Sequence, residues 1–299
     1  MTPAGRRGPR RFCHREFSAE ALARAKDAAT VSVCLPARDE ALTIGRIVET
    51  IRADLVDDVR LVDEVLFADD HSTDATAAMA AAAGAVVVPV ATPAGPESGK
   101  GAAMATALAA SRGDLVVFLD ADIEGFSSHF VVGLLGPLLS DRGIGFVKGT
   151  YRRPLAGTPG EGGRVTELTA KPLLAMLHPH LACFAQPLAG EIAACRSVLA
   201  DLSMPSDYGV DVALLVDVAR RIGLDAMAEV DLGERHHRNR RLSELAPQAR
   251  SVAQTILERA GIDAGAPIPR NAPTLAPRCQ SVPVGPRVGM PATNGRKLG

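Results

Sequence analysis

Two aspartates, Asp120 and Asp122, have the spacing in this 299-residue chain that most directly suggests chemistry. They follow residues 115–119, an unbroken apolar run that is typical of a strand buried on both faces of a parallel sheet. Ligands bind open α/β sheets at the carboxyl ends of strands, and two close carboxylates there suit a hard divalent cation that can bridge a diphosphate. By itself, the run is equally compatible with a strand that ends in an Asx turn without a metal.

Three other places in the chain carry residue types that bind phosphate. Lys100 lies between two glycines at the predicted start of an Ala-rich helix, although it is not part of a Walker motif. Residues 162–167 begin another predicted helix, and residues 235–241 contain four arginines and two histidines. Each place also has an interpretation without a ligand: a solvated lysine, a glycine-led helix start and a solvated basic loop. Asp211, in the first turn of a predicted helix, is favourable there without any catalytic role.

Hydrophobic periodicity predicts the elements that position these residues. In the first half, apolar strands are predicted at residues 31–35, 64–68, 85–90 and 115–119. Helices are predicted between them, so the pattern indicates an α/β fold with a mostly parallel sheet and helices on both faces. The polar residues Glu40, 69–74 and 120–122 then meet at one edge of that sheet. A dinucleotide-binding glycine fingerprint is absent after the first strand.

Composition excludes several classes of function. The formal net charge is −1, which gives no general attraction to nucleic acid or to an anionic membrane. No stretch is long and apolar enough to span a bilayer, and the first residues lack the apolar segment of a secretory signal. Five dispersed cysteines without metal-site spacing predict reduced thiols in the cytosol. We therefore expect a cytoplasmic protein that binds neither nucleic acid nor membrane.

The chain is predicted to form one main domain with a tail at each end. Residues 1–29 are interpreted as a flexible basic arm, and residues 263–299, rich in Pro, Gly, Ala and Thr, as a disordered tail. Between them, residues 30–122 and residues 123–262 are predicted to form two halves of the same domain.

The order of the motifs resembles that of the nucleotide-sugar glycosyltransferases of GT-A fold, and more closely that of the glucosyl-3-phosphoglycerate synthases, retaining enzymes related to mannosyl-3-phosphoglycerate synthase. The resemblance spans about residues 30–262. It is carried by Leu-Pro-Ala-Arg-Asp-Glu (35–40), Ser-Thr-Asp (72–74), Gly-Lys-Gly (99–101), Asp-Ala-Asp (120–122), Tyr-Arg-Arg-Pro-Leu (151–155), Gly-Gly-Arg-Val-Thr-Glu-Leu (162–168), Gln-Pro-Leu-Ala-Gly-Glu (186–191), Tyr-Gly-Val-Asp (208–211) and His-Arg-Asn-Arg (237–240). It implies a GT-A fold, in which residues 30–122, with a Rossmann-like sheet, form a nucleotide-sugar-binding half and residues 123–262 form an acceptor-binding C-terminal half.

The resemblance also implies roles on the donor side. The residues that would bind the nucleotide sugar are Pro36, Ala37, Glu40, Asp69, Asp70, Lys100, Asp120 and Ala121. The first five of these would hold the base and ribose, Lys100 would meet the nucleotide, and Asp120 would bind the ribose or the sugar.

The remaining implied roles concern metal, acceptor and catalysis. Asp122 and His237 would ligate Mg²⁺ or Mn²⁺. The residues that would hold the phosphate and carboxylate of 3-phosphoglycerate are Gly163, Arg164, Thr166 and Asn239. Arg235 would neutralise the charge of the diphosphate, and Asp211 would orient the acceptor and the sugar rather than act as a nucleophile.

Three residues depart from the family pattern. Ala121 and Asp70 each stand where close relatives carry Ser, and Asp211 is one methylene shorter than the family Glu. The donor sugar and base are therefore less certain from the sequence than the phosphoglycerate-like acceptor.

The leading hypothesis is an enzyme, a retaining glucosyltransferase that moves glucose from UDP-glucose, or from GDP-glucose, to the 2-hydroxyl of 3-phosphoglycerate. We expect it to be a homodimer. One alternative is a GT-A paralogue with another sugar or acceptor, such as polyprenyl phosphate, but the polar tail offers no membrane-facing segment for that class. Another is a non-catalytic sugar-nucleotide sensor, which would have lost the metal ligands that Asp122 and His237 still match.

Overall fold

An eight-stranded mixed sheet forms the centre of the computed structural model, which describes residues 8–91, 98–153, 163–235 and 242–263. Its strands are β1 (Arg10–Cys13), β2 (Val31–Ala37), β3 (Glu64–Asp69), β4 (Val86–Pro89), β5 (Leu115–Phe118), β6 (Phe146–Arg152), β7 (Ile192–Cys195) and β8 (Met227–Glu234). They lie in the order β1-β8-β6-β7-β5-β2-β3-β4. The resulting α/β architecture is the one predicted from the alternation of strands and helices.

Helices cover both faces of this sheet. Within the described residues they are α1 (Ala19–Ala25), α2 (Ile44–Ile51), α3 (Thr76–Ala82), α4 (Lys100–Ala110), α5 (His129–Ser140), α6 (Lys171–Leu177), α7 (Arg196–Leu199), α8 (Val210–Ile222) and α9 (Leu242–Arg259). Two π-helical segments adjoin them, Arg52–Asp58 after α2 and Thr166–Ala170 before α6. Short 3-10 turns lie at His14–Glu16, Pro179–Leu181 and Leu224–Ala226.

Alternate residues of the central strands supply two separate cores. Val33 and Val117 contribute to the core under α1, α2 and α5, whereas Cys34, Val116 and Phe118 contribute to the core under α4, α6, α8 and α9. All residues of β5 are buried, as expected for a strand covered on both faces. Because both faces are held by apolar packing, the carboxyl ends of the parallel strands are fixed relative to one another.

Strand β7 runs against its neighbours. It pairs antiparallel with β5 on one side and with β6 on the other, whereas every other pairing in the sheet is parallel. The residues that precede β7 therefore reach the edge of the sheet at which β5 and β6 end. Neither β7 nor the buried helix α5 was predicted from the sequence, since both are apolar segments without a clear period.

The interpretation of residues 1–29 as a flexible arm differs from the structure. Strand β1 pairs in parallel with β8, with Arg10 opposite Ala228, and α1 follows with the Ser18 side chain accepting the Ala21 N–H at its start. Phe17 packs so closely on α5 that a Cβ at Gly136 would lie 2.2 Å from its ring. The arginines of this segment suggested a basic arm, although its apolar side chains attach it to the core. The tail predicted at residues 263–299 lies, apart from Asp263, outside the described residues.

The division of the domain into residues 30–122 and 123–262 stays a prediction, because one sheet runs through both halves. Within the part of the chain that the structure describes, no helix has both the length and the apolar character needed to cross a membrane.

Candidate functional site

The carboxyl ends of β2, β3 and β5 lie side by side and carry the polar residues predicted to meet there. The backbone N–H of Leu119, just after β5, donates to the Cys34 carbonyl at 3.1 Å, which keeps the chain in register up to the first aspartate. Asp120 and Asp122 then leave the sheet with about a quarter of each side chain exposed, 22% and 24%. The strand end thus presents two carboxylates at the border between core and solvent.

Lys100 is enclosed between two carboxylates from distant parts of the chain. Its Nζ lies 2.9 Å from Asp120 Oδ1 and 2.9 Å from Asp211 Oδ2. Helix α4 brings Lys100 to this place because Gly101 packs directly on the Pro205 carbonyl, where a Cβ would lie at 1.7 Å. The interpretation of Lys100 as a solvated lysine is therefore wrong, since its side chain is only 13% exposed.

Burial and neighbouring charges oppose each other in this group. Burial by itself would lower the pKa of Lys100, but Asp120 and Asp211 raise it well above its ordinary range. Burial would likewise raise the pKa of Asp120, yet Lys100 and Arg235 hold it well below its usual value. Burial raises the pKa of Asp211, against the opposing effect of Lys100. Asp120 is thus held as a carboxylate, and Lys100 stays charged.

Arg235 closes the same group from the end of β8. Its Nη2 lies 2.9 Å from Asp120 Oδ2 and 2.6 Å from Asp122 Oδ1, and its Nε lies 2.9 Å from Glu191 Oε1. The side chain is only 3% exposed, and the acidic groups around it, Glu191 first among them, raise its pKa further despite burial. We name the ion-pair cluster as the set that these contacts join: Lys100, Asp120, Asp122, Glu191, Asp211 and Arg235.

Two residues of the segment before β7 seal the ion-pair cluster from the other side. Gly190 packs on the Lys100–Asp120 pair so closely that a Cβ would lie 2.3 Å from Asp120 Oδ1 and 2.5 Å from Lys100 Nζ. Glu191 is fully buried, and burial raises its pKa despite the opposing charge of Arg235. The antiparallel direction of β7 is what brings both residues to this edge.

A buried lysine on β6 holds that segment in place. Lys148 is 1% exposed, and its Nζ donates to the Ala189 carbonyl at 2.9 Å. Burial lowers the pKa of Lys148 to about 8, although Asp211, Glu191 and Glu229 act in the opposite direction. Lys148, Gly190 and Glu191 had no role assigned from the sequence. A lysine within an apolar strand and a Gly-Glu pair just before another are the signals that would have found them.

The loops after β2 and β3 are tied together by short polar contacts. The Ser72 hydroxyl accepts the Asp39 N–H at 3.1 Å, the Asp39 carboxylate accepts the Thr73 N–H at 2.7 Å, and the Thr76 hydroxyl accepts the Glu40 N–H at 2.8 Å. We call residues 37–43 and 69–76 the β2–β3 loops. Helix α3 begins at Thr76, and the Asp74 carboxylate just before it accepts the Thr76 N–H at 2.9 Å.

The predicted base-binding and ribose-binding residues all lie in or beside the β2–β3 loops. Pro36 is buried, Ala37 accepts the Asp70 N–H at 3.0 Å through its carbonyl, and Asp69 accepts the Ser72 N–H at 3.1 Å. Asp70 is 6% exposed and lies 3.2 Å from His71 Nδ1. The structure therefore brings these residues together without testing which part of a nucleotide they bind.

Ala121 connects these loops to the strand that carries the aspartates. It is 2% exposed, and its carbonyl accepts a hydrogen bond from the Thr43 hydroxyl at 2.5 Å. Its methyl group belongs to the core beneath the site. Since that side chain is buried, we attribute to Ala121 a packing role, and a donor contact through its side chain stays a prediction.

The predicted acceptor residues adjoin the end of β6. Gly163 has a φ of +77°, a conformation that favours glycine, and its carbonyl accepts the Glu167 N–H at 3.0 Å. Thr166 is 2% exposed at the start of the π-helical segment, and Arg164 lies between them, partly buried and in polar contact. A Cβ at Gly163 would lie 3.8 Å from the side chain of Thr166.

The remaining predicted site residues, His237 and Asn239, lie outside the described residues. Among the residues that the structure does describe, no group of three or more His, Cys, Asp or Glu side chains is arranged to hold a metal ion. The chemistry of Asp122 nevertheless fits Mg²⁺ or Mn²⁺, because it is a partly exposed carboxylate and supplies the oxygen ligands that these cations prefer.

Comparison with known proteins gives three consistent findings. Residues 32–149 match the model of glycosyl transferase family 2. The chain is 50% identical over 252 residues to the glucosyl-3-phosphoglycerate synthase of Mycolicibacterium paratuberculosis, covering 81% of this chain and 75% of that one. It is 46% identical over 280 residues to the enzyme of the same name from Mycolicibacterium smegmatis, covering 90% of this chain and 91% of that one.

Solved structures agree with the sequence relatives. The crystal structure of glucosyl-3-phosphoglycerate synthase from Mycobacterium tuberculosis with phosphoglyceric acid has a TM-score of 0.79 at 44% identity, covering 87% of this chain and 91% of that one. The same enzyme in complex with Mn²⁺, UDP-glucose and phosphoglyceric acid has a TM-score of 0.79 at 45% identity, covering 87% and 90%.

Proposed function

This chain belongs to the family of glucosyl-3-phosphoglycerate synthases, and from that premise we propose that it transfers glucose from UDP-glucose to 3-phosphoglycerate with retention of configuration. The observation that carries the proposal is the ion-pair cluster at the carboxyl ends of β5 and β8. There, Lys100 and Arg235 supply positive charge beside Asp120 and Asp122, where a nucleoside diphosphate has to leave. The relatives at 50% and 46% identity carry the same activity in their names.

On the donor side, the chain binds the nucleotide through the β2–β3 loops and the sugar beside Asp120. The buried lysine Lys100 and the arginine Arg235 are held in place by their carboxylate partners before any substrate arrives. Charge that is fixed in advance needs no reorganisation when the diphosphate leaves, and so it stabilises the transition state more than a mobile side chain does.

Asp122, with His237, is the residue that would hold a divalent cation. When bound, Mg²⁺ or Mn²⁺ supplies Lewis-acid stabilisation of the departing diphosphate. Solved complexes of the M. tuberculosis enzyme contain UDP together with Mg²⁺ or with Mn²⁺. Arg235 donates a hydrogen bond to the Asp122 carboxylate and thereby fixes its orientation.

On the acceptor side, Gly163, Arg164, Thr166 and Asn239 bind the phosphate and carboxylate of 3-phosphoglycerate. The positive φ of Gly163 turns the chain at the start of the helical segment, where exposed backbone N–H groups favour an anion. The phosphoglyceric acid complex of the M. tuberculosis enzyme supports the acceptor class.

In the transfer step, the acceptor 2-hydroxyl forms a bond to the sugar C1 as the bond from C1 to the diphosphate oxygen breaks. The hydroxyl proton goes to the departing diphosphate oxygen, on the same face of the sugar. Asp211 is a poor nucleophile in this arrangement, because its carboxylate is ion-paired with Lys100 at 2.9 Å. It orients the acceptor and the sugar instead, which is a contribution of position rather than of covalent chemistry.

The direct test is a reaction of the purified chain with UDP-glucose and 3-phosphoglycerate, with and without Mn²⁺, followed by product mass. We expect UDP release that depends on the acceptor and a product with the mass of glucosyl-3-phosphoglycerate. Absence of acceptor-dependent UDP release with UDP-, GDP- and ADP-sugars alike would contradict the proposal.

Two variants test the assigned roles within that reaction. Asp122→Asn should lose at least 100-fold in kcat/KM and need more Mn²⁺ for half-maximal rate. Asp211→Ala should lose about 100-fold in kcat, an effect of the size that misplaced reactants produce. Full activity of Asp211→Ala would exclude a role for this residue in orienting the reactants.

The departures at Asp70 and Ala121 leave the donor base to be tested. Since Asp70 is buried beside His71 and Ala121 belongs to the core, we expect UDP-glucose to remain the better donor than GDP-glucose. The homodimer and the cytosolic location expected from the sequence stay predictions, and light scattering after size-exclusion chromatography would test the first.

A further inference from the structure

Arg153, which directly follows β6, shares one aromatic ring with the active-site arginine. Its guanidinium carbon lies 4.8 Å from the centre of the Tyr151 ring, and that of Arg235 lies 5.4 Å from the same centre. Arg153 Nη2 also donates to the Tyr151 hydroxyl at 2.5 Å. Tyr151 is buried, so its ring fixes the position of both guanidinium groups.

The two arginines differ in how their charge is balanced. Arg235 has three carboxylate partners, Asp120, Asp122 and Glu191. Within the described residues, no ion pair includes Arg153, and its Nε is buried without a hydrogen-bond partner. A guanidinium that is held on a ring and has no carboxylate partner among the described residues is suited to an anionic ligand.

The position of Arg153 indicates which ligand that is. A Cβ placed on Gly163 would lie 3.6 Å from Arg153 Nη1 and 3.8 Å from the Thr166 side chain. Gly163 therefore lies beside both the Arg153 guanidinium and the Thr166 side chain. All three residues adjoin the part of the chain that we assign to the acceptor.

We propose that Arg153, beside Gly163 and Thr166, binds an anionic group of the acceptor, the carboxylate or the phosphate. This inference rests on the proposed function, since it names a further residue for the same acceptor. Arg235 then serves the departing diphosphate and Arg153 the incoming acceptor, with Tyr151 between them. Arg153 contributes binding and places the acceptor hydroxyl near the sugar, and takes no part in proton transfer.

The neighbouring residue Arg152 is a matched control. It is the same residue type one position earlier, its side chain is 65% exposed, and its Nε lies 3.5 Å from Glu234 Oε1. Arg152→Gln and Arg153→Gln remove the same charge from the same end of β6, so an effect of general charge alone would appear in both variants.

The experiment measures KM for 3-phosphoglycerate, KM for UDP-glucose and the affinity for UDP in both variants and in Arg153→Lys. We expect Arg153→Gln to raise the acceptor KM by about 10- to 100-fold, the range for a lost hydrogen bond to a charged group, with KM for UDP-glucose changed less than about threefold. Arg153→Lys should recover part of the loss, and Arg152→Gln should match the native chain.

Two acceptor analogues distinguish the groups that Arg153 could bind. D-glycerate lacks the phosphate and glycerol 3-phosphate lacks the carboxylate. The Arg153→Gln penalty should disappear with whichever analogue lacks the group that Arg153 binds. An Arg153→Gln variant that binds UDP normally and keeps the native acceptor KM would overturn the inference. Absence of product from the native chain would instead overturn the proposed function.

Discussion

The β2–β3 loops and the ion-pair cluster adjoin each other at one edge of the sheet, yet they are held by different forces. The loops are joined by many hydrogen bonds between partly exposed groups, such as Asp39 N–H to Ser72 at 3.1 Å. The cluster consists of a few buried charges whose partners come from distant parts of the chain, such as Lys100 and Asp211. Side-chain exposure of Lys100, Glu191, Asp211 and Arg235 does not exceed 13%.

This difference determines how each region responds to change. When an exposed hydrogen bond is lost, its donor and acceptor can bond to water instead. Each such bond therefore contributes only about 1 kcal/mol to stability, and its loss stays local. A buried charge that loses its partner keeps its desolvation penalty, so one substitution disturbs the whole group. We therefore expect the loops to tolerate single changes and the cluster to respond as a unit.

The largest effect is expected from Lys100→Met. It leaves Asp120 and Asp211 without their shared cation, and removal of one partner from a buried ion pair costs about 3–5 kcal/mol. Urea unfolding at pH 7 should report that loss in the free energy of unfolding. The matched control is Lys171→Met, which removes an exposed pair with Glu167 and should cost about 0.5 kcal/mol or less. Equal losses in the two variants would contradict the claim that burial makes the ion-pair cluster sensitive to the loss of one partner.

The next effect concerns pH. Burial lowers the pKa of Lys148 from its ordinary value of 10.5 to about 8, so the folded chain releases this proton at a lower pH than the unfolded chain does. Between those two values, the unfolded state binds more protons, and stability rises with pH. The shift corresponds to about 3 kcal/mol.

Lys148→Met isolates this contribution. The difference in the free energy of unfolding, native minus variant, should increase by about 3 kcal/mol as pH rises from below 8 to about 10.5. A difference that stays flat over this range would mean that Lys148 keeps an ordinary pKa in the folded chain.

A smaller effect is expected from Gly190→Ala. The added methyl group would meet Asp120 Oδ1 at 2.3 Å and Lys100 Nζ at 2.5 Å, so the ion pair has to separate, at a cost of about 1–3 kcal/mol. The rate of UDP release should fall with it. Gly45→Ala is the control, because a Cβ there comes no closer than 3.3 Å to any neighbour, and that neighbour is the flexible end of Met79. A Gly190→Ala chain with native stability and rate would refute the close packing.

The smallest effect is expected within the β2–β3 loops. Ser72→Ala removes the oxygen that accepts the Asp39 N–H, and we expect a loss of about 0.5–1 kcal/mol with a change of less than about threefold in KM for UDP-glucose. If Ser72→Ala were as damaging as Lys100→Met, the loops would be as cooperative as the cluster.

The same contrast explains what the sequence could predict. The loops are local features: each follows an apolar strand with a regular pattern, and Asp69, Asp74 and Asp120 are recognisable from their neighbours alone. The parallel pairing of β2 with β3 and with β5 agrees with the predicted alternation of strands and helices. The predicted α/β fold, its family and the enzyme class agree with the structure and with the relatives.

The ion-pair cluster depends on contacts that no local pattern contains. Glu191 reaches Arg235 only because β7 runs antiparallel, and a four-residue apolar strand without turn signals gives no indication of its direction. In the sequence, Lys148 is only a polar residue within the apolar strand β6, because its hydrogen-bond partner, the Ala189 carbonyl, lies elsewhere in the chain. The interpretation as a flexible arm was wrong for residues 10–25 for a similar reason, because the partner of β1 lies near the other end of the domain.

The pairing of β1 with β8 also has a consequence for how the protein is made. Arg10 leaves the ribosome long before its partner Ala228, which follows it by more than 200 residues. At 5–20 residues per second, β1 waits roughly 10 to 40 seconds for the strand that covers it. Arg235 arrives with that same strand. During synthesis, the strand that pairs with β1 and the buried Arg235 are therefore added together. A chain that ends before β8 has the donor loops but cannot assemble the site.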